Sequence, residues 1–189
     1  MYLMILGAPG SGKGTQGTLI AEHLGIAEVS TGALLRAAVK QGTPLGLEAK
    51  RFMDQGLLVP DQVILSLIRG ILDSKEAARG VLMDGFPRTV PQATAVDQIL
   101  KDRKAQVDMV LLLEVAEDEL VTRLLARAAK EGRSDDNLES IKQRLKVYHD
   151  QTAPLVAYYD QQGVVSRIPG MGNVDEIQAR VRDAVGGKA

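Results

Sequence analysis

The stretch Gly7-Ala8-Pro9-Gly10-Ser11-Gly12-Lys13-Gly14-Thr15 lies near the start of this 189-residue chain. It follows an apolar run, Leu3 to Leu6, whose continuity is typical of a buried parallel strand, and it precedes a helical pattern that ends at Leu24. Its glycines would let successive backbone N–H groups turn inward around a polyphosphate, and Lys13 would add a positive charge. The spacing G-x-x-x-x-G-K between a strand and a helix is the P-loop pattern, so we predict a nucleoside triphosphate site.

One position departs from that pattern, because Gly14 follows the lysine where Ser or Thr is usual. The hydroxyl for a magnesium ion would then come from Thr15, or water would replace it. Asp84 ends a second apolar strand, so its carboxylate would emerge beside the loop and hold Mg²⁺ directly or through water. The alternative is an acid that only marks the end of a strand.

Composition limits the classes of function. Lys+Arg 23 against Asp+Glu 24 gives a net charge of −1, so no overall basic field indicates nucleic acid. The absence of cysteine excludes disulfides, thiol catalysis and a cysteine-ligated zinc site, and two histidines are too few for a histidine metal cluster. The apolar start has no basic leader and is too short to span a membrane. We therefore expect a cytoplasmic protein with no nucleic-acid or membrane partner.

Strands and helices alternate along the chain, which favours an α/β fold with a doubly wound, mainly parallel, five-stranded sheet. After the first strand, apolar runs predict strands at Ile26 to Val29, Val81 to Asp84, Val107 to Val115 and Val164 to Ile168. Helices are predicted at Thr15 to Leu24 with Gly25 as C-cap, Gln62 to Leu72 with Asp61 as N-cap, Pro91 to Leu100, Glu117 to about Gly132, Asp136 to about Gln161, and Val174 to Val185.

Two interruptions shape this order. Between the second and third strands a helical stretch is broken at Gly42-Thr43-Pro44 and again at Gly56 to Asp61. About three helices therefore follow one another without a strand, which indicates an inserted helical lobe at the carboxyl edge of the sheet, where ligands bind. Pro154 lies inside the helix capped by Asp136 and predicts a kink or break near Thr152.

Arginines are the candidates to gather positive charge around a polyanion. Arg123 and Arg127 are spaced i, i+4 on one helix face, which costs a few tenths of a kcal/mol unless an anion lies between them. An acceptor that is itself a phosphate needs no base, so many arginines without a catalytic histidine indicate phosphoryl transfer between two polyanions. Any one of them could be an ordinary surface charge. The full set is Arg36, Arg88, Arg123, Arg127, Arg133 and Arg144.

Taken in order, these motifs resemble those of the nucleoside monophosphate kinase family, and within it the adenylate kinases, along nearly the whole chain. The family's loop reads G-K-G-T, which accounts for Gly14. The matching stretches are Gly7 to Thr15, Ser30-Thr31-Gly32 with Leu34-Leu35-Arg36, Gly56 to Asp61, Asp84 to Thr89 with Gln92, Arg123 with Arg127, Arg133 to Asp136, Arg144, and Tyr148-His149 with Thr152 to Leu155.

The resemblance implies a single P-loop kinase domain over 1–189, with a core (1–29, 60–126 and 134–189), an AMP-binding lobe (30–59) and a short lid (about 127–133). It implies magnesium-dependent transfer of the γ-phosphoryl group of ATP to AMP, giving two ADP, and hence a role in adenine nucleotide homeostasis. The implied ATP site comprises Gly10, Ser11, Gly12, Lys13, Gly14 and Thr15, with Arg123, Arg127 and Gly172. The implied AMP site comprises Thr31, Arg36, Leu57, Leu58, Val59, Gly85, Phe86, Pro87, Arg88 and Gln92, together with Arg133 and Arg144. The implied catalytic set is Lys13, Arg88, Arg123, Arg133 and Arg144, with Arg133 and Arg144 reaching between the phosphates.

The chain departs from the longer family members at the lid. Five residues separate Arg127 from Arg133, so the extended lid and the zinc that some lids carry are absent, and no structural zinc is expected. Thr31 and Gln92 favour AMP over pyrimidine monophosphates, since the corresponding residues in UMP/CMP kinases are usually Ala and Asn. A UMP or CMP kinase and a slowly hydrolysing P-loop switch stay open as alternatives, although no Asn-Lys-x-Asp motif supports a GTPase. A monomer is expected.

Overall fold

A computed structural model of the chain describes residues 1–131 and 137–187. Within these ranges five parallel strands form one sheet in the order β2-β3-β1-β4-β5. The strands are β1 (Tyr2–Gly7), β2 (Ala27–Ser30), β3 (Val81–Asp84), β4 (Met109–Glu114) and β5 (Val165–Pro169). The chain winds from β1 to one edge of the sheet and then crosses β1 to the other edge, which is the doubly wound topology. The predicted α/β class is confirmed, and each predicted strand is found within one or two residues of its expected ends.

Helix α1 (Lys13–Leu24) begins at the lysine of the opening loop. Gly12 precedes it with φ of +90°, and Gly25 ends it with φ of +63°, so the predicted glycine C-cap is confirmed. The loop of residues 7–12 thus turns the chain from the carboxyl end of β1 directly into a helix N-terminus. This places the first N–H groups of α1 at the edge of the sheet where the strands end.

The insertion between β2 and β3 contains α2 (Thr31–Lys40), α3 (Pro44–Met53) and α4 (Asp61–Leu72). The side chain of Thr43 caps α3 by accepting from the N–H of Gly46 at 3.1 Å. Gly46 also packs on α2, since a Cβ atom there would lie 2.1 Å from the carbonyl oxygen of Ala38. The expected cap of α4 was wrong by one residue. Pro60 occupies the N-cap, and Asp61 is instead the first helical residue, with its carboxylate used elsewhere.

The second half of the chain supplies α5 (Val90–Asp102), α6 (Glu117–Glu131), α7 (Leu138–Val147), α8 (Pro154–Asp160) and α9 (Val174–Gly186). The predicted break is confirmed, because residues 148–152 form a π-helical segment between α7 and α8, and Pro154 opens α8. The expected cap Asp136 lies outside the described residues. Asn137 holds that position instead and accepts from the N–H of Ser140 at 2.9 Å.

Apolar side chains cover both faces of the sheet. Alternate residues of a strand point to opposite faces, so Met4 packs on one face with α4, α5 and α8, and Ile5 packs on the other with α1 and α9. A smaller cluster joins α6 and α7 under the opening loop through Ala8, Leu124 and Ile141. The loop is therefore held from below by α6. Searched over residues 1–131 and 137–187, no helix is both long and apolar enough to cross a membrane.

Candidate active site

Three adjoining cavities open at the carboxyl ends of the strands. The outer cavity, of about 510 Å³, lies over the opening loop and α1, and the inner cavity lies between the insertion and α5. A connecting cavity joins them beside Lys13 and Gly56. Gly85, Arg88 and Arg144 line all three. Two ligands could therefore meet end to end with these arginines at the junction.

The opening loop is shaped for a polyphosphate. Gly10 and Gly12 have φ of +87° and +90°, in the left-handed region that favours glycine. Gly10 also packs against α6, where a Cβ atom would lie 2.8 Å from the carbonyl oxygen of Leu120. The N–H of Ser11 donates to the carbonyl of Ala8 at 3.1 Å, which closes the turn. The glycines thus allow both the backbone conformation and the close approach to α6.

The lysine of the loop is enclosed. Its Nζ donates to the carbonyl oxygen of Ala8 at 3.0 Å, so the side chain folds back over the loop. Burial lowers the pKa of Lys13 to about 8, Asp84 acts in the opposite direction, and the charges of Arg88, Arg144 and Arg127 lower it further. A phosphate placed beside Lys13 would favour its charged form.

Asp84 lies in the wall of the outer cavity. The residue is 8% exposed, and its Oδ2 accepts from the hydroxyl of Ser30 at 3.0 Å. Its Oδ1 is buried and has no hydrogen-bond partner among the described residues. A Cβ atom on Gly14 would lie 3.7 Å from Oδ2, so the glycine leaves the approach to the carboxylate open. A buried carboxylate with an unused oxygen beside a phosphate loop fits a hydrated divalent cation such as Mg²⁺.

The arginines of the site fall into two groups according to the residues that they lie beside. Arg127, Arg88 and Arg144 lie close enough to Lys13 to affect its pKa, whereas Arg123 is turned toward the loop after β5. The Arg123 side chain donates from Nε to Glu119 at 2.7 Å and from Nη1 to the carbonyl of Gly170 at 3.1 Å. All four line the outer cavity, together with Arg36. Arg133 lies outside the described residues.

The inner cavity brings together most of the residues implied for the monophosphate. Thr31 donates from its hydroxyl to the carbonyl of Gly85 at 2.9 Å. Leu57 to Val59 form one wall with Phe86, while Pro87 faces the connecting cavity instead. The expected residues that line the inner cavity are Thr31, Arg36, Leu57, Leu58, Val59, Gly85, Phe86, Arg88 and Gln92, with Arg144 at its mouth.

Gln92 is held in one orientation. Its Oε1 accepts from the backbone N–H of Arg88 at 2.7 Å, and its Nε2 donates to Asp61 Oδ1 at 2.6 Å. Because an N–H faces Oε1, the amide cannot be reversed without losing both bonds. One donor and one acceptor site of the amide are left for a base. The sequence pattern suggested Asp61 only as a helix cap, and this orienting role was missed.

Arg88 is fixed on two sides. Its Nε donates to the carbonyl of Gly85 at 2.7 Å, and its own carbonyl accepts from the hydroxyl of Thr152 at 2.8 Å. Thr152 belongs to the π-helical segment between α7 and α8. The break that Pro154 causes therefore brings a hydroxyl against the backbone of the arginine at the junction. Sequence alone offered no signal for this contact, since the two residues lie far apart in the chain.

Gly172 lies in the loop between β5 and α9, with φ of +120°. That backbone conformation favours glycine, and a Cβ atom there would also displace the Glu176 carboxylate, which would lie 2.3 Å away. The loop reaches the site through Gly170, which accepts from Arg123. Among the described residues, Gly172 itself does not line any of the three cavities.

A phosphate loop between a strand and a helix, an acid at the end of the neighbouring strand, and a second cavity joined to the first by arginines define a P-loop phosphotransferase with two substrate sites. The comparisons with known proteins agree with this class. A family model described as adenylate kinase matches residues 5–164. The chain belongs to the adenylate kinase family, whose members transfer a phosphoryl group reversibly between ATP and AMP.

Curated adenylate kinases are similar to the chain over nearly their full length. The enzyme of Parabacteroides distasonis is 51% identical over 185 residues, which cover 98% of this chain and 97% of the relative. The enzyme of Leptospira biflexa is 51% identical over 175 residues, or 93% and 94% of the two chains. The enzyme of Thermus thermophilus is 49% identical over 184 residues, or 97% and 96%. The resemblance inferred from the motifs is confirmed.

Proposed function

We propose that ATP binds in the outer cavity and AMP in the inner cavity, and that the γ-phosphoryl group passes between them in line at the junction. One observation carries this assignment: Arg88 and Arg144 line both cavities and the connection between them. Side chains at that point can contact donor and acceptor phosphates together. The reaction ATP + AMP ⇌ 2 ADP then takes place where positive charge is concentrated.

For ATP, we propose that backbone N–H groups of Gly10 to Thr15 bind the phosphates, with Lys13 following the transferred group. The partial positive charge at the start of α1 adds to this attraction. Arg127 would join the phosphate contacts, because its charge acts on Lys13. Arg123 would join the phosphate contacts from the side of the loop after β5, because its guanidinium donates to the carbonyl of Gly170, near Gly172.

For AMP, we propose that the inner cavity binds the base through Gln92 and Thr31 and encloses it between Leu57 to Val59 and Phe86. The fixed amide of Gln92 retains one donor and one acceptor, which can pair with the adenine edge. Arg36 and Arg88 would bind the AMP phosphate as bidentate donors. Pro87 would complete the wall of the connecting cavity.

We propose that Asp84 and Thr15 hold Mg²⁺ through water. The unused, buried Oδ1 of Asp84 supports this role, as does the open approach that Gly14 leaves. The ion, when bound, neutralises charge on the β- and γ-phosphates. Thr15 is exposed in the first turn of α1, where its hydroxyl can reach a water of that shell.

The acceptor phosphate is already an anion, so the protein does not have to remove a proton from it. The catalytic work proposed for Lys13, Arg88, Arg123 and Arg144 is to hold two polyanions together and to stabilise charge on the transferred group. Arg133 is proposed to join them from the lid side. Exclusion of water matters as well, because water would otherwise compete with AMP for the phosphoryl group.

We also propose that residues 30–59 are the AMP-binding lobe and that about 127–133 are a short lid. The lobe contains α2 and α3, and it contacts α7 where the hydroxyl of Ser140 donates to the carbonyl of Asp54 at 3.1 Å. We propose that the protein is cytoplasmic. We also propose that it is a monomer, because charged side chains such as those of Arg182 and Asp183 occupy the exposed face of α9. Light scattering on the purified protein tests the monomer.

The acceptor preference tests the assignment of the two sites. ADP formation from Mg-ATP is measured with AMP, UMP, CMP or GMP as separate acceptors and with a control without acceptor. We expect strong preference for AMP, because the orientation of Gln92 suits an adenine edge. Preference for UMP or CMP would overturn the assignment of the base, and slow hydrolysis without AMP-stimulated transfer would overturn the two-site proposal.

The lowered pKa of Lys13 leads to a second prediction, which concerns the pH dependence of the reaction. Since the pKa lies at about 8, Lys13 is charged below that pH and loses its charge as the pH rises through it. We expect kcat/KM to fall above about pH 8, since this parameter reports the free enzyme. The fall in kcat should begin at higher pH, because bound phosphate favours the charged lysine. A pH–rate profile of the wild type checks both.

Lys13→Arg is the matched variant for this pH profile, because a guanidinium stays charged throughout the range. Its residual activity should lack the alkaline fall. If Lys13→Arg loses activity over the same pH interval as the wild type, another group causes the fall.

A further inference from the structure

Glu28 lies in the wall of the outer cavity on the same face of the sheet as Asp84. In the parallel pairing of β2 with β3, Glu28 stands opposite Leu82 and Ser30 opposite Asp84. Residues two apart on a strand share a face, so both carboxylates point toward α1. The helix confirms this: Cβ positions on Gly14 and Gly17 would lie 3.7 Å from Asp84 Oδ2 and 3.4 Å from Glu28 Oε1. Glu28 therefore lies about one helical turn along α1 from Asp84.

The Glu28 carboxylate is held in that position. Its Oε2 accepts from the hydroxyl of Thr18 at 2.8 Å, and Thr18 also lines the outer cavity. The side chain is half-buried. Burial raises the pKa of Glu28, the hydrogen bond from Thr18 opposes this, and the negative charges of Asp84 and Glu22 raise the pKa further. Glu28 is thus an oriented acid beside the second turn of α1, in the wall of the outer cavity.

Two neighbouring carboxylates are unfavourable in a cavity that binds polyphosphate, unless a cation lies beside them. They repel each other and they repel the phosphates. The buried and unpartnered Oδ1 of Asp84 indicates a cation at this end of the cavity. Mg²⁺ keeps several of its waters when it binds a nucleotide, and acceptors around that water shell tune its affinity. Glu28 is the second carboxylate that lines this cavity among the described residues.

We propose that Glu28 is a positioning residue of the magnesium site and accepts hydrogen bonds from the water shell of the ion that Asp84 and Thr15 hold. This inference rests on the proposed function, because it requires Mg-ATP in the outer cavity. It predicts that Glu28 favours ATP with its metal and disfavours ATP without it.

Isothermal titration calorimetry gives the test, since it measures the Kd of ATP in excess EDTA and the Kd of ATP with saturating Mg²⁺. The ratio of the Kd in EDTA to the Kd with Mg²⁺ gives the contribution of the metal to ATP binding. In Glu28→Gln we expect this ratio to fall by about 10-fold, near the lower end for partners outside the metal's direct ligands. Mg-ATP should bind more weakly, whereas metal-free ATP should bind as tightly as to the wild type or more tightly, because one repulsive charge is gone.

The directions in which the two Kd values change distinguish this role from the alternatives. A merely structural Glu28 would weaken ATP equally with and without metal, and a general charge effect would strengthen both. Glu139→Gln is the matched control, because it removes the same charge from an exposed position on α7 that does not line the three cavities, and it should leave the ratio unchanged. Thr18→Val removes the hydrogen bond but keeps the charge, and it should retain most of the ratio.

Asp84→Asn distinguishes failure of this inference from failure of the magnesium site. If Asp84→Asn lowers the ratio and Glu28→Gln does not, the site stands and the role of Glu28 is overturned. If neither lowers it, the proposed magnesium site is overturned as well, and Glu28 with it. A fall in Thr18→Val as large as in Glu28→Gln also overturns the proposal, since the effect then comes from the packing of α1. Glu28→Ala replaces Glu28→Gln if circular dichroism shows that the latter does not fold.

Discussion

Lys13→Ala is expected to lower kcat by about 10³-fold, in the range found when one preorganised charged contact to a transferred phosphoryl group is removed. The reason is geometric. The Nζ of Lys13 already lies against the loop, 3.0 Å from the Ala8 carbonyl, so a phosphate in the loop meets a charge that needs no further reorganisation. Steady-state kinetics with Mg-ATP and AMP measures the loss.

The variant should stay folded, because an enclosed ammonium is costly to desolvate and its removal does not deprive the core of apolar contacts. A thermal unfolding midpoint close to that of the wild type would show this. Lys101→Ala, which removes an exposed lysine from α5, is the matched control and should retain wild-type turnover. A folded Lys13→Ala enzyme with wild-type activity would refute the role proposed for this lysine.

Arg88→Ala is expected to lower kcat/KM for AMP by about 10²- to 10³-fold and to change the Kd of ATP far less. Arg88 lines all three cavities, and its bonds with Gly85 and Thr152 fix it at their junction before AMP arrives. ATP would keep the contacts proposed for the loop and Lys13, whereas AMP would lose one of its two phosphate-binding arginines. Truncation removes both a phosphate contact and a preset orientation. Kinetics with AMP varied, together with calorimetry of ATP binding, separates the two substrates.

Arg167→Ala is the control for this variant, because Arg167 pairs with Glu114 and Asp160 at the edge of the sheet and does not line the three cavities. It should leave both substrates unaffected. Equal losses for AMP and ATP in Arg88→Ala would contradict the placement of Arg88 on the AMP side. Loss of folding would be visible in the unfolding midpoint and would then call for Arg88→Lys, which keeps the charge but loses the fork of donors.

Several parts of this protein could be predicted from short stretches of sequence. The loop from Gly7 to Thr15, the five strands, the glycine cap at Gly25 and the break before Pro154 all depend on a few neighbouring residues. Glycine permits a positive φ, proline lacks an N–H, and a strand with a continuous apolar run is buried on both faces. Each of these is a property of a few neighbouring residues. The family was equally accessible, since its motifs occur in order along the chain.

Other features depend on which distant segments meet, and no local pattern contains that information. Strand order places Ser30 beside Asp84, and hence Glu28 in the wall of the outer cavity, although Glu28 alone looks like an ordinary strand acid. Because α4 packs against α5, the carboxylate of Asp61 accepts a hydrogen bond from Gln92 instead of capping a helix. The orientation of Arg123 toward Gly170 likewise required β5 to lie beside β4. Backbone propensity acts over a few residues, so the helices and strands could be predicted from the sequence. The partner of a side chain depends on which distant segments pack together, so these contacts could not be predicted.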